Sequence, residues 1–270
     1  MKKSIAAVAA VCVLLAAGGF LFRGQLKRAT AALLFSSAAT TPVAGEAAKT
    51  IRLQTGDFVF WGSYRGEPIL WRVLALEGDR PLLFSEYILC FKAFSAAQPY
   101  TDASSDWAGS ALRQWLNATQ EQVPWTGVAP AANAVLGGWN PYADEPGFLS
   151  GQNFSARERA LLHGGSDAVF LLSKKQLSAL PAARRKRSPT QSAAARDTSP
   201  FLTLRRQCWY WTRSPVTTNQ RSVTAVTNRG AFYKSLAADS LTGVCPAVFL
   251  ATSRVACLGG DGGKRAPFIL

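Results

Sequence analysis

The sequence FVFWGSYRGEPILWRVL, residues 58–74, predicts two β-strands that are joined by a tight turn. Aromatic and β-branched residues favour strands at 58–61 and 69–74, and the Gly-Glu-Pro sequence at 66–68 has the composition of a turn. A third strand is predicted at 81–85, so the folded domain opens with a three-stranded meander.

Helices are predicted in the middle of the chain. Asp106 is the predicted N-cap of a helix whose apolar residues recur at three- and four-residue spacing. Ser155 with Glu158, and Ser173 with Gln176, have the spacing of capping boxes that begin two short helices. Further strands are predicted at 169–172, 209–211, 222–227, 231–233 and 244–250. The fold class is therefore α+β, with a largely antiparallel sheet, a few short helices and long loops.

An uncharged, mostly apolar run of nineteen residues, 4–22, precedes the folded domain. As a helix it would span roughly 28 Å, close to the ~30 Å apolar core of a bilayer. It predicts a signal anchor with the amino terminus inside the cell, or a signal peptide that is cut after Ala16-Ala17-Gly18. The expected localisation is the cell membrane, single-pass with the C-terminal domain extracytoplasmic. The alternative is secretion after signal cleavage.

The chain divides into four predicted segments. Residues 1–28 are the signal anchor or signal peptide, and the Ala-, Ser- and Thr-rich residues 29–49 form a flexible linker. Residues 50–255 form the folded domain. Residues 256–270 form a C-terminal tail, in which Gly259-Gly260-Asp261-Gly262-Gly263 lacks the strand and helix that flank a phosphate-binding loop.

The formal net charge is +14, and basic residues are concentrated at Arg184, Arg185, Lys186 and Arg187. Such a cluster predicts an anionic partner, with an envelope polymer or lipid as the favoured class. The alternative is a solvated loop, since residues 188–200 are rich in Ser, Ala, Thr and Pro. Nucleic acid is not expected, because the chain is exported and lacks a nucleic-acid-binding motif.

The folded domain has four cysteines, Cys90, Cys208, Cys245 and Cys257. An even number in an oxidising compartment predicts disulfides, and the three alternative pairings stay open. No CxxC pair occurs, and His163 is the only histidine, so neither a metal site nor a cofactor is predicted.

Six motifs in this order resemble a bacterial family known as domain of unknown function 6273. They are FWGSY (60–64), PILWRVL (68–74), LRQWLN (112–117), VFLLS (169–173), WYWTRSP (209–215) and GVCPA (243–247). The resemblance implies a C-type-lectin-like fold, related in architecture to formylglycine-generating enzymes, and it implies no activity. Members are often exported, membrane-anchored proteins. The chain has Thr212 where the family usually has Leu, and Cys245 where the family commonly has Arg.

The fifth motif is the predicted ligand-binding site. In a strand, Trp209, Trp211 and Arg213 share one face, and Ser214 follows them. Two Trp rings can stack on a sugar, and an Arg can bind a carboxylate or phosphate through two hydrogen bonds. The alternative is that the Trp pair belongs to the core and Arg213 to an internal ion pair.

The sequence contains no recognisable catalytic set. No GxSxG motif occurs, His163 lies at a predicted helix end, and Asp144-Glu145 is predicted to be solvated in a loop. We therefore expect a non-enzymatic, membrane-anchored module that binds a glycan, a cell-wall polymer or an envelope protein. One alternative is an enzyme that modifies envelope components or proteins on a formylglycine-generating-like fold. Another is a structural scaffold in envelope assembly that makes contacts through the loops 119–152 and 184–200.

Overall fold

The computed structural model describes residues 48–97, 100–126, 129–130, 142, 145–197 and 207–270. The predicted signal segment 1–28 and all but the last two residues of the predicted linker 29–49 lie outside these ranges. Among the residues that are described, none belongs to a helix long and apolar enough to cross a bilayer.

The described chain is α+β, with mostly antiparallel strands and short helices, as the sequence predicts. In chain order the strands are β1 (Lys49–Arg52), β2 (Phe58–Tyr64), β3 (Glu67–Glu77), β4 (Arg80–Ser85), β5 (Cys90–Phe91), β6 (Leu162–His163), β7 (Val169–Leu171), β8 (Tyr210–Val216), β9 (Asn219–Val226), β10 (Phe232–Leu236), β11 (Gly243–Val244), β12 (Pro246–Leu250), β13 (Arg254–Cys257) and β14 (Phe268–Ile269). The helices are α1 (Ala111–Asn117), α2 (Ala156–Arg159), α3 (Lys174–Ser178), α4 (Ala182–Arg185) and α5 (Gln191–Arg196). A 3₁₀ turn covers Tyr100–Asp102.

The strands form two larger sheets and one pair. The first sheet has the order β14-β2-β3-β4-β12-β6, with β7 also pairing with β12, and it contains the predicted meander. The second sheet has the order β10-β9-β8-β11-β5, and β1 pairs with β13. Two pairings are parallel, β14 with β2 and β11 with β8, and the others are antiparallel. The meander and most predicted strands are therefore confirmed.

Both predicted capping boxes are present. The Ser155 hydroxyl accepts from the Glu158 amide while the Glu158 carboxylate accepts from the Ser155 amide, and Ser173 and Gln176 make the same reciprocal pair. These motifs are local in sequence, so the backbone donors at a helix start are satisfied by side chains three residues away.

Several predicted boundaries are wrong. The N-cap of α1 is Ser110, because Asp106 instead accepts the amides of Ala108 and Gly109 in the preceding turn. His163 lies in β6, paired with Phe249, and not at a helix end. The strand predicted at 244–250 is divided at Cys245 between two sheets. The loop predicted at 188–200 contains α5, which the Thr190 side chain caps.

The C-terminal segment packs against the domain. The Phe58 amide donates to the Gly262 carbonyl at 2.8 Å, and β14 adds a parallel strand beside β2. The segment 256–270, predicted as a tail, thus completes one edge of the first sheet.

Gly62 occupies a bulge in β2, where its φ is +66° and a Cβ would lie 2.0 Å from Cε1 of Phe154. We expect Gly62→Ala to lower the free energy of unfolding by about 2 kcal/mol, through left-handed strain and overpacking. Gly66→Ala is the matched control, because Gly66 also has a positive φ of +79° but faces open space. Chemical denaturation of both variants measures the difference, and equal losses would contradict the packing argument.

Candidate ligand-binding site

The structure separates the residues of the predicted ligand-binding motif. Trp211 is 1% exposed, and its Nε1 donates to the Lys92 carbonyl at 2.8 Å, so its ring belongs to the core. Trp209 precedes β8 and is half-buried, with its ring edge-on to Tyr233. The pairing of β8 with β9 shifts register after Trp211, so simple alternation does not hold along this strand.

Arg213 and Ser214 contact the start of α3. The Arg213 guanidinium lies 4.8 Å from the centre of the Phe170 ring, and its Nη2 donates to Gln176 Oε1 at 3.4 Å. Burial lowers the pKa of Arg213. The Ser214 hydroxyl accepts from the Lys174 amide at 2.9 Å. The structure thus removes Trp211 from any stacking surface, whereas a ligand role for Trp209, Arg213 and Ser214 stays a prediction.

The basic cluster divides into buried and outward-facing residues. Arg185 donates to the carbonyls of Gly230 and Leu180, at 2.7 and 2.6 Å. Arg187 is 4% exposed and donates to three backbone carbonyls. Arg184 is exposed and Lys186 is half-buried. Arg185 and Arg187 therefore stabilise the fold by binding backbone carbonyls, and Arg184 is the residue of the cluster most available to a partner.

The cysteines lie in the core. Cys90, Cys245 and Cys257 are buried free thiols, so the predicted disulfides do not form among these three, and Cys208 is also buried. Burial raises the pKa of Cys90 far above its usual range and that of Cys245 to about 12. Both thiols stay protonated at neutral pH, which disfavours them as nucleophiles.

A buried ionic network is the main feature that the sequence analysis missed. Lys92 is 0% exposed, and its Nζ lies 2.5 Å from Oε2 of Glu145. The ammonium also lies 4.6 Å from the centre of the Tyr142 ring and 4.9 Å from that of Trp115. The prediction that Glu145 is solvated is wrong, because its side chain is 16% exposed and faces this cation.

A second ion pair extends the network. Arg65 Nη1 lies 2.7 Å from Oδ1 of Asp197, and its Nε lies 3.5 Å from Oε1 of Glu145. The Tyr64 hydroxyl donates to Glu145, and the Phe91 amide donates to Asp197 at 3.2 Å. Among the described residues, two cations therefore face two carboxylates.

The environment shifts the pKa values of these groups in different directions. Burial opposes ionisation of Glu145, but the charge and hydrogen bond of Lys92, together with Tyr64 and Arg65, hold its pKa below the usual value. For Asp197 burial prevails over Arg65, and its pKa is raised. Burial also raises the pKa of Tyr64 and Tyr142. Glu145 is therefore a carboxylate at neutral pH, and both phenols stay protonated.

A polar pocket of about 510 Å³ lies over Glu145, and we call it the loop pocket. Its described lining consists of Glu121, Gln122, Val123, Trp125, Tyr142, Glu145, Pro146 and Gln152. The volume falls in the range of small-molecule sites. Residues 127–128, 131–141 and 143–144, which belong to the same loop, lie outside the described ranges.

Hydrogen bonds and ring contacts position the lining. Gln152 Nε2 donates to Glu121 Oε2 at 2.6 Å, and the Trp125 and Tyr142 rings lie edge to face with centres 5.5 Å apart. The Tyr142 hydroxyl donates to the Ala93 carbonyl at 2.5 Å, which fixes that ring over Lys92. The pocket thus combines carboxylate and amide groups with an ordered aromatic pair.

No metal site is evident in the part of the chain that the structure describes, where no three His, Cys, Asp or Glu side chains lie close enough to share an ion. The described lining of the loop pocket offers amides and carboxylates for hydrogen bonding and aromatic rings for contact.

Fold and site together define an α+β domain with a polar, ligand-sized pocket over a buried ionic network. Residues 78–252 match the family model described as domain of unknown function, DUF6273. Because the match covers more than half of the 270 residues, the chain belongs to this family. Four of the six motifs lie inside the matched range, and those at 60–64 and 68–74 precede it. Neither a curated protein nor a solved structure matches the chain.

Proposed function

We propose that the domain is a non-enzymatic binding module that takes a polyhydroxylated ligand, such as a glycan, in the loop pocket. The observation that carries this proposal is the placement of Gln122, Gln152 and Glu145 around an aromatic pair. Amide and carboxylate groups can each make two hydrogen bonds to neighbouring hydroxyls, and an aromatic face can cover the apolar face of a sugar.

The charges of the described lining disfavour an anionic ligand, because Glu121 and Glu145 are both carboxylates and none of the described lining residues is a cation. The Glu145 charge is already matched by Lys92 within the network, so an uncharged ligand meets an acceptor without having to neutralise it. A fixed acceptor of this kind needs no rearrangement on binding, and preorganisation of this type favours affinity.

The proposed setting is extracytoplasmic. The apolar run at 4–22 would anchor the chain in the membrane, and the linker would separate the domain from the bilayer. We also propose the C-type-lectin-like fold that the resemblance implies. A module held at the cell surface would have envelope glycans and cell-wall fragments within reach.

Trp125→Ala tests the loop pocket directly. We screen the purified full-length chain against neutral oligosaccharides and cell-wall muropeptides, and then titrate the tightest binder calorimetrically. Loss of the ring is expected to weaken binding roughly tenfold, or about 1.4 kcal/mol, as for an aromatic residue at the centre of a site.

Tyr233→Ala is the matched control, because Tyr233 is an aromatic side chain that is 59% exposed and remote in sequence from the loop. We expect it to leave binding unchanged. The competing site is tested by Trp209→Ala, which should also have no effect. Absence of binding to every probe, or equal affinity of the wild type and Trp125→Ala, would refute the proposal.

A further inference from the structure

A second cavity is lined by residues of β2, β3 and α4, and we call it the basic groove. It has a volume of about 280 Å³ and is lined by Thr55, Gly56, Phe58, Arg72, Val73, Leu74, Leu180, Arg184 and Arg187. None of these residues lines the loop pocket, so the argument for the groove is independent of the proposed function.

The groove is strongly cationic. Arg72, Arg184 and Arg187 line it, and Lys264 is adjacent, with its Nζ 5.9 Å from the centre of the Phe58 ring. Glu86 is the carboxylate of this cluster, and both Arg72 Nη2 and Lys264 Nζ bind its Oε1, at 2.8 and 2.7 Å. Among the described residues this cluster contains four cations and one carboxylate, which gives a formal charge of +3. Neither Arg184 nor Arg187 makes a salt bridge among the described residues.

Two of the three guanidinium groups that line the groove are held in place before any ligand arrives. Arg72 is fixed by Glu86 and lies 4.8 Å from the centre of the Phe58 ring. Arg187 is fixed by the carbonyls of Ser85, Arg184 and Lys186, and lies 4.6 Å from the centre of the Phe84 ring. A rigid cationic site loses little side-chain entropy on binding.

Two polar atoms in this cluster lack a hydrogen-bond partner in the described structure. They are Nε of Arg72 and Oε2 of Glu86, and both are buried. Buried polar atoms in native proteins almost always bind protein, water or ligand. Within the described residues, Arg72 Nε lacks an acceptor and Glu86 Oε2 lacks a donor, so the cluster leaves one buried polar atom of each kind unsatisfied beside the groove.

Most of the remaining lining is apolar. Phe58, Val73, Leu74 and Leu180 form the walls between the arginines. An anion that is fully hydrated gains nothing from such walls, whereas a ligand with an apolar part buries surface there. The cationic residues and the apolar walls together favour a ligand that has both a negative charge and an apolar part.

We infer that the basic groove binds a phosphate group attached to an apolar body. Arginine recognises phosphate through charge-assisted hydrogen bonds, and the excess of cations favours a group that carries more than one negative charge. Two sources have this chemistry, a soluble phosphate ester and the headgroup of an anionic lipid.

Phenyl phosphate is the probe for the soluble source. Calorimetric titration of the full-length chain should give tighter binding for phenyl phosphate than for inorganic phosphate or benzyl alcohol. Arg184→Ala should weaken that binding about tenfold, since it removes one charge-assisted contact. Leu180→Ala should reduce the advantage of phenyl phosphate over inorganic phosphate. Thermal unfolding of each variant checks that the fold is retained.

Arg157→Ala is the matched control. Arg157 and Arg184 are both exposed arginines in the last turn of a four-residue helix, and only Arg184 lines the groove. The lipid source is tested by sedimentation with phosphatidylcholine vesicles with or without phosphatidylglycerol. If Arg184→Ala lowers binding to phenyl phosphate alone, the ligand is soluble, and if it also lowers vesicle binding, the ligand is a lipid.

The inference is overturned if neither phenyl phosphate nor the anionic vesicles bind. It is also overturned if Arg157→Ala loses as much binding as Arg184→Ala, because the effect would then be one of net charge. Trp125→Ala should leave phenyl phosphate binding unchanged, which separates failure of this site from failure of the loop pocket.

Discussion

Glu145→Gln is expected to lower the free energy of unfolding by about 3–5 kcal/mol, the usual cost of breaking a buried ion pair by removing one partner. The substitution keeps the shape of the side chain and removes the negative charge that lies 2.5 Å from Lys92 Nζ. Lys92 is 0% exposed, so water cannot replace the carboxylate without local opening. Chemical denaturation of the full-length chain measures the loss.

The double variant Lys92→Met/Glu145→Gln is the control for that prediction. It removes both charges, so it should be more stable than Glu145→Gln alone, although it contains one more substitution. If the double variant lost the sum of the two single effects, the pair would not be coupled and the ionic account would be wrong.

The pH dependence of stability tests the same ion pair, because the direction of the expected change is known. The folded-state pKa of Glu145 is lowered, so its stabilisation is present above the unfolded-state pKa and is lost as pH falls through the folded-state value. The stability difference between wild type and Glu145→Gln should therefore be constant above the unfolded-state pKa of a glutamate, about 4.3, and should shrink as the pH falls below it. Asp197, whose pKa is raised, acts in the opposite direction and is common to both proteins.

Trp115→Ala is expected to cost about 3–5 kcal/mol, as for a large side chain removed from a packed core. Trp115 is 0% exposed, and its Nε1 donates to the Pro146 carbonyl at 3.0 Å. Its ring contacts those of Tyr64, Tyr142 and Phe148, so one residue of α1 supports both the core and the wall of the loop pocket.

Trp209→Ala is the comparison for Trp115→Ala. Trp209 is half-buried and its ring contact is with the exposed Tyr233, so its removal should cost about 1 kcal/mol or less. Equal losses for the two tryptophans, measured by denaturant titration, would mean that Trp115 is not central to the packing.

Sequence patterns predicted the elements that depend on neighbouring residues. The meander follows from aromatic and β-branched runs that are separated by turn residues such as Gly66 and Gly78, and the capping boxes follow from residues three apart. The prediction of the N-cap of α1 was wrong for a local reason. Asp106 and Ser110 are both residue types that favour N-caps, but the Asp106 carboxylate accepts hydrogen bonds from amides of the preceding turn.

The ionic network could not be predicted in this way. Arg65, Lys92, Glu145 and Asp197 come from separate segments, and only tertiary packing brings them together. In the sequence, Glu145 is an acidic residue in a loop rich in Pro and Gly, which is the usual context of a solvated side chain. For Trp211 the sequence grouped residues that the structure separates. Alternation along a strand placed Trp211 and Arg213 on one face, but the pairing of β8 shifts register after Trp211.

The basic cluster was predicted as a unit, and the structure divides its roles. Arg185 and Arg187 satisfy backbone carbonyls, whereas Arg184 is exposed at the basic groove. Composition alone shows the excess of positive charge. It does not show which guanidinium groups already donate hydrogen bonds to the backbone. That distinction is what makes Arg184 the residue to substitute.

The most direct test of the central claim is a crystal structure of the chain with the tightest-binding glycan from the screen. The account predicts that the glycan occupies the loop pocket, with hydrogen bonds to Gln122 or Glu145 and ring contact with Trp125. A glycan bound instead against Trp209 and Arg213, with the loop pocket unchanged, would contradict it.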